Sequence, residues 1–426
     1  MRAETNVKTR AKGHKAGYNT RNCSYIGMRG AQLGDSSQWR PASSLTATGE
    51  RRLDAGPLVN RLSFLRFSPT MSTQAQSIVE PVVDSSEVET SKCRPNSIVH
   101  EYFAQRESSY RKLVAEREKG WDNPRGDDYF QRQRRVADGS NDEGARKFYQ
   151  MMQQIGDEMH RRTRCFSQQH SCEGKMSILD ICMAPGGYTA SALKYNPGAR
   201  ACGISLSPDQ GGHKVLLQPG SSTIVFVDVT MLNEEYGVET IPLSHPDPDS
   251  FRDDRPFWGE TFPLIFCDGQ VLRTHTRPGY RESQEARRLT VSQLILALQR
   301  IRDGGTIVML LHKIEAWHTL ELLYLFNSFS SIRVFKPAKK HAKRSSFYLV
   351  ATGVHPQSEA AKAVVKEWKQ AWWDATFGGE KGTGSREIAV DEEHVRFVLK
   401  QFGSRFAELA GPIWKIQGDA LSSWRP

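Results

Sequence analysis

The sequence predicts an α/β protein built on a mostly parallel sheet. From about residue 176 onwards, short apolar stretches with strand character alternate with stretches of helical spacing, a pattern typical of parallel strands joined by helical crossovers. A sharp glycine turn, Pro185-Gly186-Gly187, separates the first of these strands from the following helix. Ligands of open α/β sheets bind at such turns, at the carboxyl edge of the sheet. We therefore expect a ligand site beside this turn.

The charge of the chain is unevenly distributed. Its 426 residues carry a net charge of +10, and residues 1–70 account for +8 of it, which leaves +2 for the remainder. Four segments are expected: a disordered basic tail (1–95), a helical segment (96–165), the α/β domain (166–355) and a helical extension (356–426). Either Met1 or Met71 can be the start of translation, because the charge turns acidic after Met71.

Four features bear on compartment and metal content. No run of about 18 apolar residues is present, so no transmembrane helix is expected. The seven cysteines are odd in number, which favours reduced thiols in an intracellular, nuclear or cytoplasmic setting. The Arg-rich stretch Arg51–Phe67 leaves a mitochondrial presequence open as an alternative. Cys165, His170 and Cys172 lack a second cluster with zinc-like spacing, so no metal site is expected.

Apolar periodicity predicts the individual elements. Helices are predicted over Ser97–Glu118 with Asn96 or Ser97 as N-cap, Glu143–Thr163, Glu282–Ile301, Glu315–Phe329, Glu359–Phe377 and Asp391–Leu409. Strands are predicted over 178–182, 199–206, 222–229, 263–268, 306–312, 332–336 and 346–351. Only about ten residues separate the last two strands. That is too few for a crossover helix, so these strands should form an antiparallel hairpin.

Two stretches are predicted to be loops because of their Gly, Pro and acidic content: Gly120–Gly126 and the insert Met231–Phe262.

In the C-terminal extension, Trp368, Trp372 and Trp373 occur at helical spacing. Such tryptophans either stack on nucleic-acid bases or pack a helix on the core, and packing is the expectation.

The glycine turn carries a resemblance to a known family. Asp180 lies inside the strand, and Ala184-Pro185-Gly186-Gly187-Tyr188 follows it. The dinucleotide fingerprint G-x-G-x-x-G is absent, so a pyrophosphate cradle is not expected. The pattern D-x-x-x-A-P-G-G-aromatic resembles motif I of the FtsJ-like S-adenosylmethionine-dependent RNA methyltransferases, over about residues 145–353. The resemblance implies a Rossmann-like class I sheet of seven strands, mostly parallel with the last strand antiparallel. Taken alone, an A-P-G-G turn also fits an ordinary strand–turn–helix.

The same resemblance implies S-adenosyl-L-methionine as cofactor and a set of residues that bind it. Motif I contributes the turn itself, and an acid at the end of the third strand is expected near the adenine. An acid for the ribose is expected after the second strand, where this sequence has Ser205, with Asp209 as a stand-in. The implied cofactor residues are Ala184, Pro185, Gly186, Gly187, Tyr188, Ser205, Asp228 and Asp268.

Catalytic residues are expected at the carboxyl ends of the fourth and fifth strands. A carboxylate there, Asp268, can meet both cofactor and substrate, and a desolvated lysine there, Lys313, can orient or deprotonate an alcohol. FtsJ-like 2′-O-methyltransferases use a Lys-Asp-Lys-Glu tetrad, and these two residues correspond to its second and third members. Gln150 stands at the position of the first member, with Lys147 one turn away as a substitute. Ser346 stands at that of the glutamate.

The expected function is methyl transfer from S-adenosylmethionine to RNA at a ribose 2′-hydroxyl. The alternative is a catalytically weak or inactive protein that keeps the fold as an RNA-binding or scaffold module. A basic run precedes the last strand, and it can contact phosphate or be an ordinary solvated loop. Its members are Lys336, Lys339, Lys340, His341, Lys343 and Arg344. RNA is therefore the expected partner, with no membrane and no metal.

Overall fold

A computed structural model describes residues 85–121, 132, 142–167, 176–218, 220–385 and 390–424. The predictions for residues 1–84, which include the basic presequence-like stretch and the alternative start, lie outside these residues. The same holds for most of the predicted loop Gly120–Gly126, and for His170 and Cys172.

The centre of the fold is a seven-stranded sheet with the order β3-β2-β1-β4-β5-β7-β6. The first five strands run parallel to one another, and β7 is antiparallel to both of its neighbours. The strands are β1 (Ser177–Ile181), β2 (Arg200–Ser205), β3 (Ser222–Phe226), β4 (Phe262–Cys267), β5 (Ile301–His312), β6 (Ser331–Phe335) and β7 (Ser346–Val354). The predicted fold class and the predicted terminal hairpin are confirmed.

Helices cover both faces of this sheet. They are α1 (Ser85–Arg106), α2 (Ser108–Trp121), α3 (Asp142–Thr163), α4 (Gly187–Tyr195), α5 (Glu285–Arg300), α6 (Trp317–Phe329), α7 (Glu359–Phe377) and α8 (Glu392–Ser422). Alternate strand residues point to opposite faces. Ile178 packs in the core formed with α3 and α4, whereas Leu179 packs in the larger core formed with the other helices. Central strands buried on both faces explain the continuous apolar runs in the sequence.

The N-terminal helices differ from the prediction. Where one helix was expected over Ser97–Glu118, two are present, and the chain leaves helical geometry at Glu107. The first begins at Ser85, so the prediction of disorder up to residue 95 is wrong for its last residues. Asn96 is therefore inside a helix, and its side-chain oxygen accepts a hydrogen bond of 2.8 Å from the backbone N–H of Trp317. The predicted cap residue therefore binds a backbone group that is distant in sequence, and local periodicity does not reveal such a contact.

The insert Met231–Phe262 is only partly a surface loop: Leu243 and Trp258 are exposed as predicted, whereas other residues of the insert are packed into the fold. Glu235 is fully buried and forms a 2.7 Å ion pair with Arg300, which is 1% exposed. On the same face, Trp368 and Trp372 are fully buried, which confirms the expected packing, whereas Trp373 is 39% exposed. The helix predicted to end at Leu409 continues to Ser422. Among the described helices, none combines the length and apolar character needed to cross a bilayer.

Candidate active site

A cleft lies at the carboxyl edge of the sheet, where the parallel strands end. Its cavity volume is about 200 Å³ and it is open to solvent, so it is somewhat smaller than the usual ligand site. One half is lined from the ends of β1, β2 and β3 and from nearby loops: Cys182, Ala184, Ser205, Leu206, Gly212, His213, Val227, Asp228, Val229, Thr230, Leu272, His275, Glu285 and Leu289. The other half is lined from α3, α4 and the region of β4, β5 and β7: Phe148, Met152, Tyr188, Asp268, Gly269, Gln270, Val271, Leu310, His341 and Tyr348.

The glycine turn shapes this cleft chiefly through packing. Gly186 has a φ of 92°, which favours glycine, and it precedes the first residue of α4. A Cβ on Gly187 would lie 2.4 Å from the Cβ of Met152, so this glycine lets α4 approach α3. Ala184 and Tyr188 line the cleft, whereas Pro185, Gly186 and Gly187 do not. The motif therefore acts mainly by fixing the backbone that presents its two flanking residues.

Asp228 lines the cleft as part of a polar network. Its Oδ1 accepts hydrogen bonds from the backbone N–H (3.0 Å) and the hydroxyl (2.8 Å) of Thr230, and its Oδ2 accepts one of 2.7 Å from Arg281. Burial acts to raise the pKa of Asp228, but the guanidinium of Arg281 outweighs burial, and the pKa is lowered. His275 and Glu285 lie close enough to form a metal-binding set with this carboxylate. Arg281 already bridges the two acids, since it also donates to Glu285 at 2.9 Å, and this set does not support a metal site.

Asp268 lies at the end of β4 between the two halves of the cleft. Its Oδ1 is buried and has no hydrogen-bond partner. Burial, followed by the nearby charge of Asp180, holds the pKa of Asp268 well above its usual value. The adjacent loop is fixed because the side-chain oxygen of Gln293 accepts a 2.8 Å hydrogen bond from the backbone N–H of Gly269. An enclosed carboxylate oxygen without a partner costs free energy, and this cost points to a ligand.

Neither lysine proposed for catalysis lines the cleft. Lys147 lies on the exposed surface of α3 and pairs with Glu143 at 2.6 Å, with 72% of its side chain exposed. Lys313 is also exposed, and it follows β5 in a left-handed conformation with a φ of 47°. Its backbone N–H donates to the carbonyl of Ser345 at 3.1 Å, which places it beside the basic loop. The wall of the cleft at β5 is formed instead by Leu310.

The other two tetrad positions also lie outside the cleft. Gln150 lines a separate surface pocket between α3 and α4. Ser346 is 4% exposed, and its carbonyl accepts a 2.8 Å hydrogen bond from Lys336. Of the family tetrad positions, Asp268 is thus the one that the described structure brings to the cleft. Ser205 lines it as expected, whereas its stand-in Asp209 lies on an exposed turn.

Phe148, Leu310, His341 and Tyr348 line the cleft without having been predicted as site residues. The position of Leu310 could have been predicted, because strand alternation places its side chain on the same face of the sheet as that of Val308. Lys313, beyond the end of the strand, does not share that face. His341 was visible as part of the basic run, but nothing in the sequence distinguished it from its lysine neighbours.

The strand order, the reversed β7 and a cleft at the carboxyl edge define a Rossmann-like methyltransferase fold. Residues 145–354 match the model of the FtsJ-like methyltransferase family, so the chain carries an FtsJ-like methyltransferase domain over this segment. Its domain is accordingly that of an S-adenosylmethionine-dependent methyltransferase.

Solved structures share parts of the fold at low similarity. A candidate ribosomal RNA methyltransferase from Plasmodium falciparum is 17% identical and aligns with a TM-score of 0.30 over 46% of this chain and 93% of its own. An rRNA methylase from Streptococcus thermophilus is 10% identical, with a TM-score of 0.26 over 48% of this chain and 95% of its own. A candidate methyltransferase from Streptococcus mutans, in complex with SAH, is 10% identical, with a TM-score of 0.26 over 42% and 90%. No curated protein sequence matches the chain.

Proposed function

We propose that the chain transfers a methyl group from S-adenosylmethionine to RNA, at a ribose 2′-hydroxyl. The observation that carries the proposal is the enclosed Oδ1 of Asp268, which has no hydrogen-bond partner in a cleft lined by motif I. A cation is the natural complement of a buried carboxylate, and S-adenosylmethionine supplies a reactive methyl group on a positively charged sulfur.

The residues of the cleft fit this cofactor. Asp228 accepts three close hydrogen bonds within the protein, and because a carboxylate has about four acceptor sites, one remains for a ligand. Ser205 offers a hydroxyl at the end of β2. Ala184 and Tyr188 contribute the wall from motif I. Asp268 would then meet the positive charge of the ligand, and its raised pKa means that it must lose a proton to do so.

The surface beside the cleft suits a phosphate backbone. Lys339, Lys340 and Arg344 are exposed on the loop before β7, and Lys313 is exposed beside them. Contacts between such residues and phosphates supply most of the salt-dependent affinity of proteins for nucleic acids. Lys336, the first member of the basic run, is 1% exposed and is not available for such contacts.

The test is transfer of a tritium-labelled methyl group from S-adenosylmethionine to total RNA. Methylation at the 2′-hydroxyl blocks alkaline cleavage of the adjacent phosphodiester, so the label should appear in alkali-resistant dinucleotides. Asp268→Asn keeps the shape of the side chain but removes its charge, and it should reduce both cofactor affinity and transfer. Label in alkali-sensitive nucleotides would refute the 2′-hydroxyl, and no transfer by the wild type would refute the proposal.

A second candidate is an RNA-binding or scaffold protein with little or no turnover. It is favoured by Leu310 at the β5 wall and by the buried Ser346, because neither can activate a hydroxyl through its side chain as a lysine or a glutamate would. Salt-sensitive RNA binding and cofactor binding without transfer would select this candidate.

A further inference from the structure

The loop between β6 and β7 brings a histidine to the cleft. His341 lines it on the side of β4, β5 and β7, and its φ of 57° is uncommon for a residue with a side chain. Backbone strain of this kind persists where the surroundings fix the conformation, and it is concentrated at functional sites. Among the described residues, neither ring nitrogen of His341 forms a hydrogen bond within the protein.

Lys336 fixes this loop from inside the protein. Its ammonium group donates to three backbone carbonyls of the segment that follows: those of His341 (3.2 Å), Arg344 (2.6 Å) and Ser346 (2.8 Å). Three donors and three acceptors use the full capacity of a lysine ammonium group. The backbone from His341 to the start of β7 is therefore held by one buried residue.

The end of α8 fixes the same loop from outside. The side-chain amide of Gln417 donates to the carbonyl of Lys343 at 3.2 Å, and the ammonium of Lys343 lies 4.7 Å from the ring centre of Trp424. Arg117 of α2 donates in turn to Gln417 at 3.0 Å. Arg117, Gln417 and Trp424 lie outside the segment that matches the family model. The family domain and its helical additions thus converge on the loop that presents His341.

Few other side chains in the same half of the cleft as His341 could accept a proton. Leu310 and Phe148 carry no ionisable group, and the hydroxyl of Tyr348 is hydrogen-bonded to that of Tyr188. Asp268 is the other ionisable group of this half that is not paired, and the proposed function uses it to meet a cation. Burial and the nearby positive charge of Arg344 lower the pKa of His341 to about 4, so its ring is neutral and able to accept a proton at neutral pH.

We propose that His341 is a catalytic residue that accepts the proton of the acceptor hydroxyl. The inference rests on the proposed function. As the oxygen forms its bond to the methyl carbon, the carbon–sulfur bond breaks and leaves its electron pair on sulfur, and the O–H proton moves to a ring nitrogen of His341. A weak base is sufficient because the oxygen becomes strongly acidic while the new bond forms. The imidazolium then returns its proton to solvent.

The test compares methyl transfer to RNA by three variants with saturating cofactor. His341→Asn tolerates the left-handed backbone but cannot accept the proton, and it should lower kcat roughly 10²–10⁴-fold, the usual contribution of a general base. Its cofactor affinity and melting temperature should change little. His341→Gly leaves space at the same backbone conformation, so added imidazole should restore part of its activity. The matched control is His355→Ala, an exposed histidine beyond the opposite end of β7 that pairs with Asp303, and it should behave as wild type.

A kcat of His341→Asn within about threefold of the wild-type value, or a loss confined to salt-sensitive RNA affinity, would overturn the assignment. Failure of imidazole to restore any activity to His341→Gly, with the loop intact, would also count against it. Absence of transfer by the wild type refutes the proposed function and this inference together, whereas an active wild type with an active His341→Asn refutes this inference alone.

Discussion

The buried Lys336 gives a quantitative prediction about stability. Burial lowers its pKa to about 7 in the folded protein, from about 10.5 for an ordinary lysine. Between these two values the unfolded chain binds more protons than the folded one, so the free energy of unfolding rises with pH across this window. Integrated between about pH 7.5 and 9.5, the contribution of this one lysine is about 2.5 kcal/mol.

Other groups also titrate in this range, so the measurement is a difference between variants. Urea unfolding is followed at several pH values for the wild type, Lys336→Met and Lys340→Met. Lys336→Met removes the titrating group at similar volume and should lose the pH-dependent gain of about 2.5 kcal/mol. Lys340→Met, on the exposed part of the same loop, should keep it. An identical pH slope in all three proteins would mean that the three carbonyls keep the ammonium charged, and it would refute the dominance of burial.

Three further predictions follow from single contacts. Asp180→Asn removes the negative charge that helps to raise the pKa of Asp268, so the pH at which cofactor binding weakens should move to lower values in calorimetric titrations. Gly187→Ala should destabilise the fold by about 1–3 kcal/mol, because its Cβ would lie 2.4 Å from a side-chain carbon of α3. The control is Gly411→Ala, whose Cβ would meet nothing within 4 Å. In thermal unfolding this control should be neutral or stabilising. Lys313→Ala should weaken RNA binding and reduce its salt dependence, whereas Lys313→Arg should bind RNA almost as well as the wild type. A loss of kcat at saturating RNA in both variants would instead show that Lys313 takes part in catalysis.

Much of the fold could be predicted because it depends on local patterns. The alternation of apolar strands and helices and the glycine turn are short-range signals that predicted the sheet, and the short connection between the last two strands predicted that the last one is reversed. The insert around Glu235 was misjudged because its acidic side chain is neutralised by Arg300, about 65 residues away in sequence. Charge content predicts exposure only when no distant partner is present.

The site was predicted where it lies on strand ends and missed where it depends on side-chain direction. Asp228 and Asp268 end their strands at the carboxyl edge, so topology alone places them at the cleft. On α3, adjacent residues differ in direction by about 100°, and this difference separates the exposed Lys147 from Phe148 at the cleft. His341 depends on a loop held by Lys336, a contact that the sequence does not reveal.

The most direct test of the central claim compares the binding of S-adenosylmethionine with that of SAH, which lacks the positive charge on sulfur. If the unpaired carboxylate of Asp268 meets that charge, S-adenosylmethionine should bind more tightly than SAH, and its advantage should grow with pH as the carboxyl group loses its proton. Asp268→Asn should remove both the advantage and its pH dependence. Equal affinities of the wild type for the two ligands at every pH, or an unchanged preference in the variant, would contradict the account.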